Sequence, residues 1–411
     1  MKRFVLFFML FILLSGSLSC QKAHTDDPAD NPYRKLELST KSSEFVHLGN
    51  DFAFNFLDRV DGAVEGDYII SPLSMQFLLG MVLDGARGET ADEICSVLGY
   101  GAGETDAVNE YCQAMLQQLP SLDKKTSLSI ANAIAVNQRC SLHENYKNVV
   151  GEFYDAEIFN LDFSDGTGSA KHINQWCSDR THGLIPEVVR EVRPGMLAYL
   201  MNAMYFKGRW KSKFSKADTA KERFTTGSGT AVQVQMMKKH ASFLYQDNDV
   251  FRAVRLPYGN GAFAMNVILP AEGRTLSDVT GALDASAWHE FVQSMVGCDV
   301  DMWLPRFETR FHIKLNDILS AMGMPSAFNV VSADFKAMSD DALCLSFVQQ
   351  DACIKVDEEG SEAAVVSVAG MMEAAAAPGE FVQFHADRPF LYLITETSSE
   401  TVLFAGKYTG E

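Results

Sequence analysis

A chain of 411 residues, 47% of them hydrophobic, can bury a large core and is too long for a bare binding module, so one large globular domain is expected. Its 53 acidic and 35 basic side chains leave a formal charge of −18, and the cations are scattered rather than gathered into a stripe. That pattern argues against a nucleic-acid partner, and acidity of this kind reports little beyond solubility.

At the N-terminus, Lys2-Arg3 precede an apolar run from Phe4 to Leu14, then Ser15-Gly16-Ser17 and Leu18-Ser19-Cys20. This is the order of a secretory signal, over residues 1–19, and the apolar run is too short to span a bilayer. A cysteine directly after the small residues resembles a bacterial lipobox, in which Cys20 is acylated and becomes the first mature residue. Ser17 departs from that pattern, since such boxes usually carry an aliphatic side chain there, and the alternative is ordinary cleavage beside an incidental cysteine. Two or more acyl chains would anchor the protein stably. Residues 21–33, with Asp26, Asp27, Pro28, Asp30 and Pro32, read as a polar tether, and 20–43 are set apart from the domain at 44–411. The implied location is the envelope of a Gram-negative bacterium, on an outer-membrane lipid anchor facing the periplasm or the surface.

Helical periods dominate the first third of the chain. Ser71 is placed to cap a helix with Pro72 at its first position and Leu73, Phe77, Leu78, Met81 and Val82 on one stripe. Thr90 with Glu93 forms a capping box for a second helix, which Gly99 ends. "LSIANAIAVN" at 128–137 is strand-like, and two further helices are expected at 143–154 and 170–182. Beyond residue 197 apolar or alternating runs follow at 197–206, 263–270, 299–305, 343–356, 389–395 and 401–408, interrupted by a helix at 315–323. Long β runs under helices imply an α+β architecture with one large sheet.

No catalytic or cofactor motif stands in the chain: GxSxG, HExxH, GxxxxGK[ST] and GxGxxG are all absent, and each His-Glu pair lacks a second histidine at helical spacing. Beyond Cys20 the seven cysteines are odd in number and widely spaced, a poor disulfide framework with no metal-ligand spacing, and are expected as small buried hydrophobes. Neither an enzyme nor a cofactor is expected.

"EEGSEAAVVSVAGMMEAAAAPGE", Glu358 to Glu380, fits neither regular period. Its flanks are those of an exposed loop. On a strand, alternate residues face opposite sides, and the odd face (Ser361, Ala363, Val365, Ser367, Ala369) carries no charge, while Glu362 leads the other face. The stretch therefore suits both a solvent loop and an inserted strand; a core strand ending in an alanine-rich turn is the plainer alternative.

This segment resembles the hinge and reactive loop of the serpins, a family of suicide protease inhibitors. Further resemblances run in order along the chain: "IISPLSMQFLLGMVLDGARGETADEICSVLG" from Ile69, "ANAIAVN" from Ala131, "INQWCSDRTHGLIPEVV" from Ile173, "MNAMYFKGRWKSKF" from Met201, "LPRFETRF" from Leu304, "LNDILSAMGMPSAF" from Leu315 and "DRPFLYLITETSSETVLFAGKY" from Asp387. They cover roughly residues 44–409. The resemblance implies three β-sheets with eight or nine helices and an exposed reactive loop at about 358–385. In that family a protease attacks the loop, and the cut loop enters the large sheet as a new central strand before the acyl-enzyme can hydrolyse.

The same resemblance assigns residues. Glu358, Glu359, Gly360, Ser361, Glu362, Ala363, Ala364, Val365 and Val366 form the hinge, where the two valines are bulkier than the alanines favoured in the family. Ser71, Ser74 and Asn202 match the polar cluster beneath the point where the central strands part. Gln350 falls where many relatives have histidine, so its amide is expected to bridge to the neighbouring strand without an imidazole's pH-sensitivity. Trp210 matches the aromatic at the top of the sheet. Each of these also suits an ordinary buried polar or packing residue. The family's spacing places the scissile bond at Ala374-Ala375, with Glu373, Ala376 and Ala377 as alternatives. Alanine before the cut suits an elastase-like protease, and the absence of Arg and Lys between Gly360 and Glu380 argues against trypsin-like targets. The expected partners are such a protease, in a covalent complex, and the membrane, through the anchor; a monomer is expected.

Overall fold

Ser39 sits in extended backbone and its side chain accepts the Ser42 N–H, so helix α1 begins at once and runs Thr40–Ala63. Residues 40–43, expected in the tether, are therefore the first turn of a helix. The computed structural model describes residues 31–193, 195–361 and 381–411.

Helix α2 (Pro72–Gly85) starts as its sequence requires, with the Ser71 side chain accepting the Ser74 N–H and Pro72 at the first position. It is buried almost all round, running beneath the sheets. Helix α3 (Gly88–Leu98) ends on Gly99 at φ +76°, but it begins before Thr90. The expected capping box does not form, because Thr90 is buried in the helix, its Oγ1 accepting the Asp334 N–H, while Glu93 turns to Ser326. Helices α4 (Thr105–Gln118), α5 (Glu144–Tyr154) and α6 (Gly166–Arg180) follow. The last starts four residues earlier than expected, since Asp165 supplies a cap to the Gly168 N–H. Helices α7 (Leu276–Ala282), α8 (Ala285–Gln293) and α9 (Asn316–Met322) complete nine α-helices among the described residues.

The strands are β1 (Tyr68–Ile70), β2 (Thr126–Asn137), β3 (Ala156–Leu161), β4 (Ala198–Gly208), β5 (Ala220–Thr225), β6 (Ala231–Asp247), β7 (Phe251–Pro257) and β8 (Phe263–Pro270). They continue with β9 (Val296–Pro305), β10 (Phe307–Lys314), β11 (Gln349–Asp357), β12 (Gly360–Ser361), β13 (Phe381–His385), β14 (Phe390–Glu396) and β15 (Val402–Tyr408). Among the described residues they form three sheets: a nine-stranded one in the order β1-β15-β14-β8-β7-β6-β9-β13, with β5 on β6, and two of three strands, β3-β2-β4 and β10-β11-β12. The α+β class and the three sheets are as expected. The strand read at 343–356 is a strand only from Gln349, because its partner β10 ends at Lys314, opposite Gln349, and the chain there turns into α9.

The seven described cysteines form no disulfide. Five are buried, as expected of small hydrophobes, while Cys344 and Cys353 are half-buried.

One carboxylate interrupts the apolar surroundings of α2. Asp84 accepts from Asn109 Nδ2 at 2.9 Å, while its Oδ2 is buried with no hydrogen-bond partner among the described residues. Burial pushes its carboxyl up to about 7, aided by Asp106 and opposed by Asn109 and Arg87. A raised acid favours the protonated fold, so its contribution to stability is complete below the unfolded value and declines as pH rises through about 7. Asp84→Asn should remove that decline. Between pH 4 and pH 8 the wild type should lose about 3 kcal/mol relative to the variant, read as diverging melting temperatures.

Candidate functional site

The two three-stranded sheets face one another across a cleft. Among the described residues β4 pairs with β2, and β11 with β10 and the short β12. The cleft has a volume of ≈ 200 Å³, and Ser71, Ser74, Asn202, Met204, Phe347 and Gln350 contribute to its lining. The large sheet expected from the sequence is thus present as two halves, with no strand between β4 and β11 below β12 among the described residues.

At the top of the cleft two hinge residues, Gly360 and Ser361, already lie in the sheet. Ser361 pairs with Val356 and Gly360 with Asp357 of β11, and Arg209, just past β4, bridges to Gly360 from the other side. Gly360 has φ +149°, and a Cβ there would lie 2.0 Å from the Gly208 carbonyl oxygen, so no other residue fits this approach. Ser361 is 2% exposed and shares a 2.8 Å hydrogen bond with the hydroxyl of Tyr258. Tyr258 stacks on Trp210 at 4.5 Å, and Trp210 Nε1 donates to the Asp357 carbonyl at 2.8 Å.

The residues before Gly360 are clamped from outside. Glu358 is 1% exposed and accepts from Thr219 Oγ1 at 2.7 Å and from Arg306, with which it forms an ion pair. Burial raises its carboxyl, but the hydrogen bonds from Arg306 and Thr219 together hold it below the usual glutamate range. Glu359 pairs with Lys213, and its carbonyl accepts the Trp210 N–H at 3.0 Å.

Lower in the cleft the polar residues form one chain. The Gln350 amide on β11 takes both backbone groups of Ser71, accepting its N–H and donating to its carbonyl, each at 2.9 Å. Ser71 Oγ donates to the Leu403 carbonyl of β15 at 2.7 Å. Ser74 Oγ donates to Asn202 Oδ1 on β4, and Asn202 Nδ2 donates to Asn132 Oδ1 on β2 at 2.7 Å. Asn132 in turn donates to the Tyr154 carbonyl at the end of α5, at 2.7 Å. The first turn of α2 is therefore a polar bridge between the two halves.

The sequence matches the family model described as Serpin (serine protease inhibitor) over residues 47–410. The chain is 32% identical to a serpin-like protein of Thermococcus kodakarensis over 392 residues, which is 93% of this chain and 91% of that one. It is also 32% identical to serpin B6 of Macaca fascicularis over 367 residues, covering 87% and 97%.

The chain belongs to the serpin family.

Among solved structures the serpin resembles tengpin, a thermophilic serpin in its native state, with a TM-score of 0.82 at 26% identity over 93% of this chain and 97% of that one. The structure brings together the assigned residues it describes. Ser71, Ser74, Asn202 and Gln350 meet in one network, and Trp210, Glu358, Glu359, Gly360 and Ser361 meet at the top of the cleft. Gln350 differs in its partner: its amide bridges to the cap of α2 rather than to a neighbouring strand. Glu362, Ala363, Ala364, Val365, Val366, the bonds around Glu373, Ala374, Ala375, Ala376 and Ala377, and Cys20 lie outside the described residues. Sequence reasoning missed Arg306, Thr219 and Tyr258. Arg306 stands inside the quoted "LPRFETRF", but nothing in its spacing pointed to Glu358.

Removing the Glu358 charge tests the clamp. A depressed carboxyl stabilises the fold above its unfolded value, and that contribution is lost as pH falls through the folded value. Glu358→Gln should lower stability at neutral pH by about 1–2 kcal/mol, a modest figure because Arg306 is partly exposed, and the two proteins should converge below the ordinary glutamate range. Gly360→Ala should cost about 1–3 kcal/mol at every pH, read by the same melting curves, because strain and clash do not titrate.

Proposed function

We propose that this serpin is a suicide inhibitor of elastase-like serine endopeptidases, with cysteine endopeptidases as further targets, and that it acts from a lipid anchor at Cys20. The observation that carries the reading is that Gly360 and Ser361 are seated on β11 at the upper end of the cleft between β4 and β11, where no further strand lies among the described residues. A protease attacking Ala374-Ala375 makes its normal acyl-enzyme, and the freed loop then continues the short β12 down the cleft. Each inserted residue places one N–H and one C=O in reach of the flanking strands, so a segment of about ten residues gains on the order of 10 kcal/mol. Ser361, Ala363, Val365 and Ser367 present no charge to the packed side, so entry meets no large desolvation cost. The bridge of Ser71, Ser74, Asn202 and Gln350 is the part that has to yield. A second reading, a binding protein cleaved as a plain substrate, is favoured by the bulk of Val365 and Val366, which slows entry into the sheet.

The acyl chains on Cys20 would hold the domain at the outer membrane, behind the signal at residues 1–19. Labelling with a radioactive fatty acid that survives in wild type and is lost in Cys20→Ala tests this part independently.

Incubation with neutrophil or pancreatic elastase should give an SDS-resistant complex the size of both chains. Ser361→Arg should abolish the complex and leave only cleaved chain, since a guanidinium has no room beside Tyr258. Nicking at the alanine cluster should raise the melting temperature by tens of degrees, and an unchanged value would sink the insertion mechanism.

A further inference from the structure

The carboxylate at the far end of α2 is linked by hydrogen bonds to the cleft. Asp84 stands in the last turn of α2, with Oδ1 accepting from Asn109 Nδ2 on α4 at 2.9 Å and Oδ2 buried without a hydrogen-bond partner among the described residues. Asn109 Oδ1 accepts the Tyr154 hydroxyl at 2.7 Å, and the Tyr154 carbonyl at the end of α5 accepts Asn132 Nδ2 at 2.7 Å. Asn132 Oδ1 accepts Asn202 Nδ2 on β4 at 2.7 Å, and Asn202 Oδ1 accepts the Ser74 hydroxyl in the first turn of α2. Asn109, Tyr154 and Asn132 are all buried. The circuit leaves one end of the helix, crosses a rim of the cleft at β4, and returns to the other end.

The surroundings of Asp84 hold a proton well and a charge poorly. Burial pushes its carboxyl up to about 7, against the Asn109 bond and Arg87 and with the help of Asp106. An anion in the last turn of a helix also opposes the macrodipole, whose negative end lies there. Cys112 faces the carboxyl from α4, and Tyr146 and Tyr154 face it from α5; burial keeps all three protonated, and the Tyr146 hydroxyl already donates to the Met81 carbonyl at 3.1 Å. Arg87 is the cation that acts on Asp84, and its guanidinium donates to the Ala86 carbonyl at 3.0 Å. Once ionised, the half-buried Asp84 side chain gains by turning toward water and Arg87, which releases Asn109. The buried Tyr154 hydroxyl then lacks a fixed acceptor, and its ring shifts together with the carbonyl that holds Asn132.

We propose that Asp84 is a proton-sensitive latch on the cleft, which keeps β4 in place while protonated and, on losing its proton to water, slackens the circuit through Asn109, Tyr154, Asn132 and Asn202. The sign follows from a raised acid: below about 7 the cleft is held, and above it β4 moves more readily. No protease enters this device, so it holds whether or not the chain inhibits one.

Hydrogen exchange of the full chain at pH 6 and pH 8, corrected for the intrinsic pH dependence of amide exchange, tests the latch. Only amides that exchange through local opening, whose rates ignore low denaturant, are compared. Those of β4, residues 198–208, should lose protection by up to about tenfold across that interval, while those of the edge strand β13, residues 381–385, stay unchanged. Asp84→Asn, which keeps the shape and cannot ionise, should make β4 indifferent to pH. Tyr154→Phe should keep the pH dependence of the melting temperature, because the acid remains, and remove it from β4, because the relaying hydroxyl is gone. An equal loss at β4 and β13 overturns the proposal, since the titration then weakens the molecule without direction. So does a β4 response that is absent in wild type, survives Asp84→Asn or persists in Tyr154→Phe.

Discussion

β4 and β11 border a cleft, and among the described residues no strand runs between them below the short β12. A sheet interior normally leaves few backbone groups unpaired, because each costs free energy comparable to a lost hydrogen bond. The molecule keeps this opening by holding its rims apart from below and above. The N-terminal turn of α2 stands beneath it with Ser71 and Ser74, and the Trp210–Tyr258 stack stands at its top. The proposed function rests on one segment of the same chain, beginning at Ser361, whose alternate residues carry no charge and so suit entry into a sheet.

The two ends of the opening are built differently. At the top the contacts are ionic and steric: Glu358 is fixed by Arg306 and Thr219, and Gly360 allows the chain to pass against Gly208. Lower down they are neutral hydrogen bonds among Gln350, Ser71, Ser74, Asn202 and Asn132. Neutral bonds can exchange partners at small net cost, whereas a buried carboxylate that loses its cation is penalised heavily. A firmly tied top and a lower part of exchangeable bonds is the arrangement that the proposed insertion requires.

Much of the helical half was legible from local rules. Ser71-Pro72 writes a cap and first turn that nothing in the tertiary structure overrides, and Gly99 ends its helix in the left-handed conformation that glycine alone adopts freely. Thr90 and Glu93 failed as a cap because packing against residues 326 and 334 offered their polar atoms better partners. The strand read at 343–356 shortened because β-structure exists only where a partner runs alongside, and β10 stops opposite Gln349.

The sequence by itself determined the family and the α+β class, because hydrophobic period, caps and collinear motifs are properties of neighbouring residues. Only the tertiary structure decided that β4 and β11 stand apart, that Gln350 reaches the cap of α2, and that Arg306 finds Glu358 across 52 positions of chain. Contacts between distant segments depend on how whole sheets pack, and no spacing along the chain encodes them.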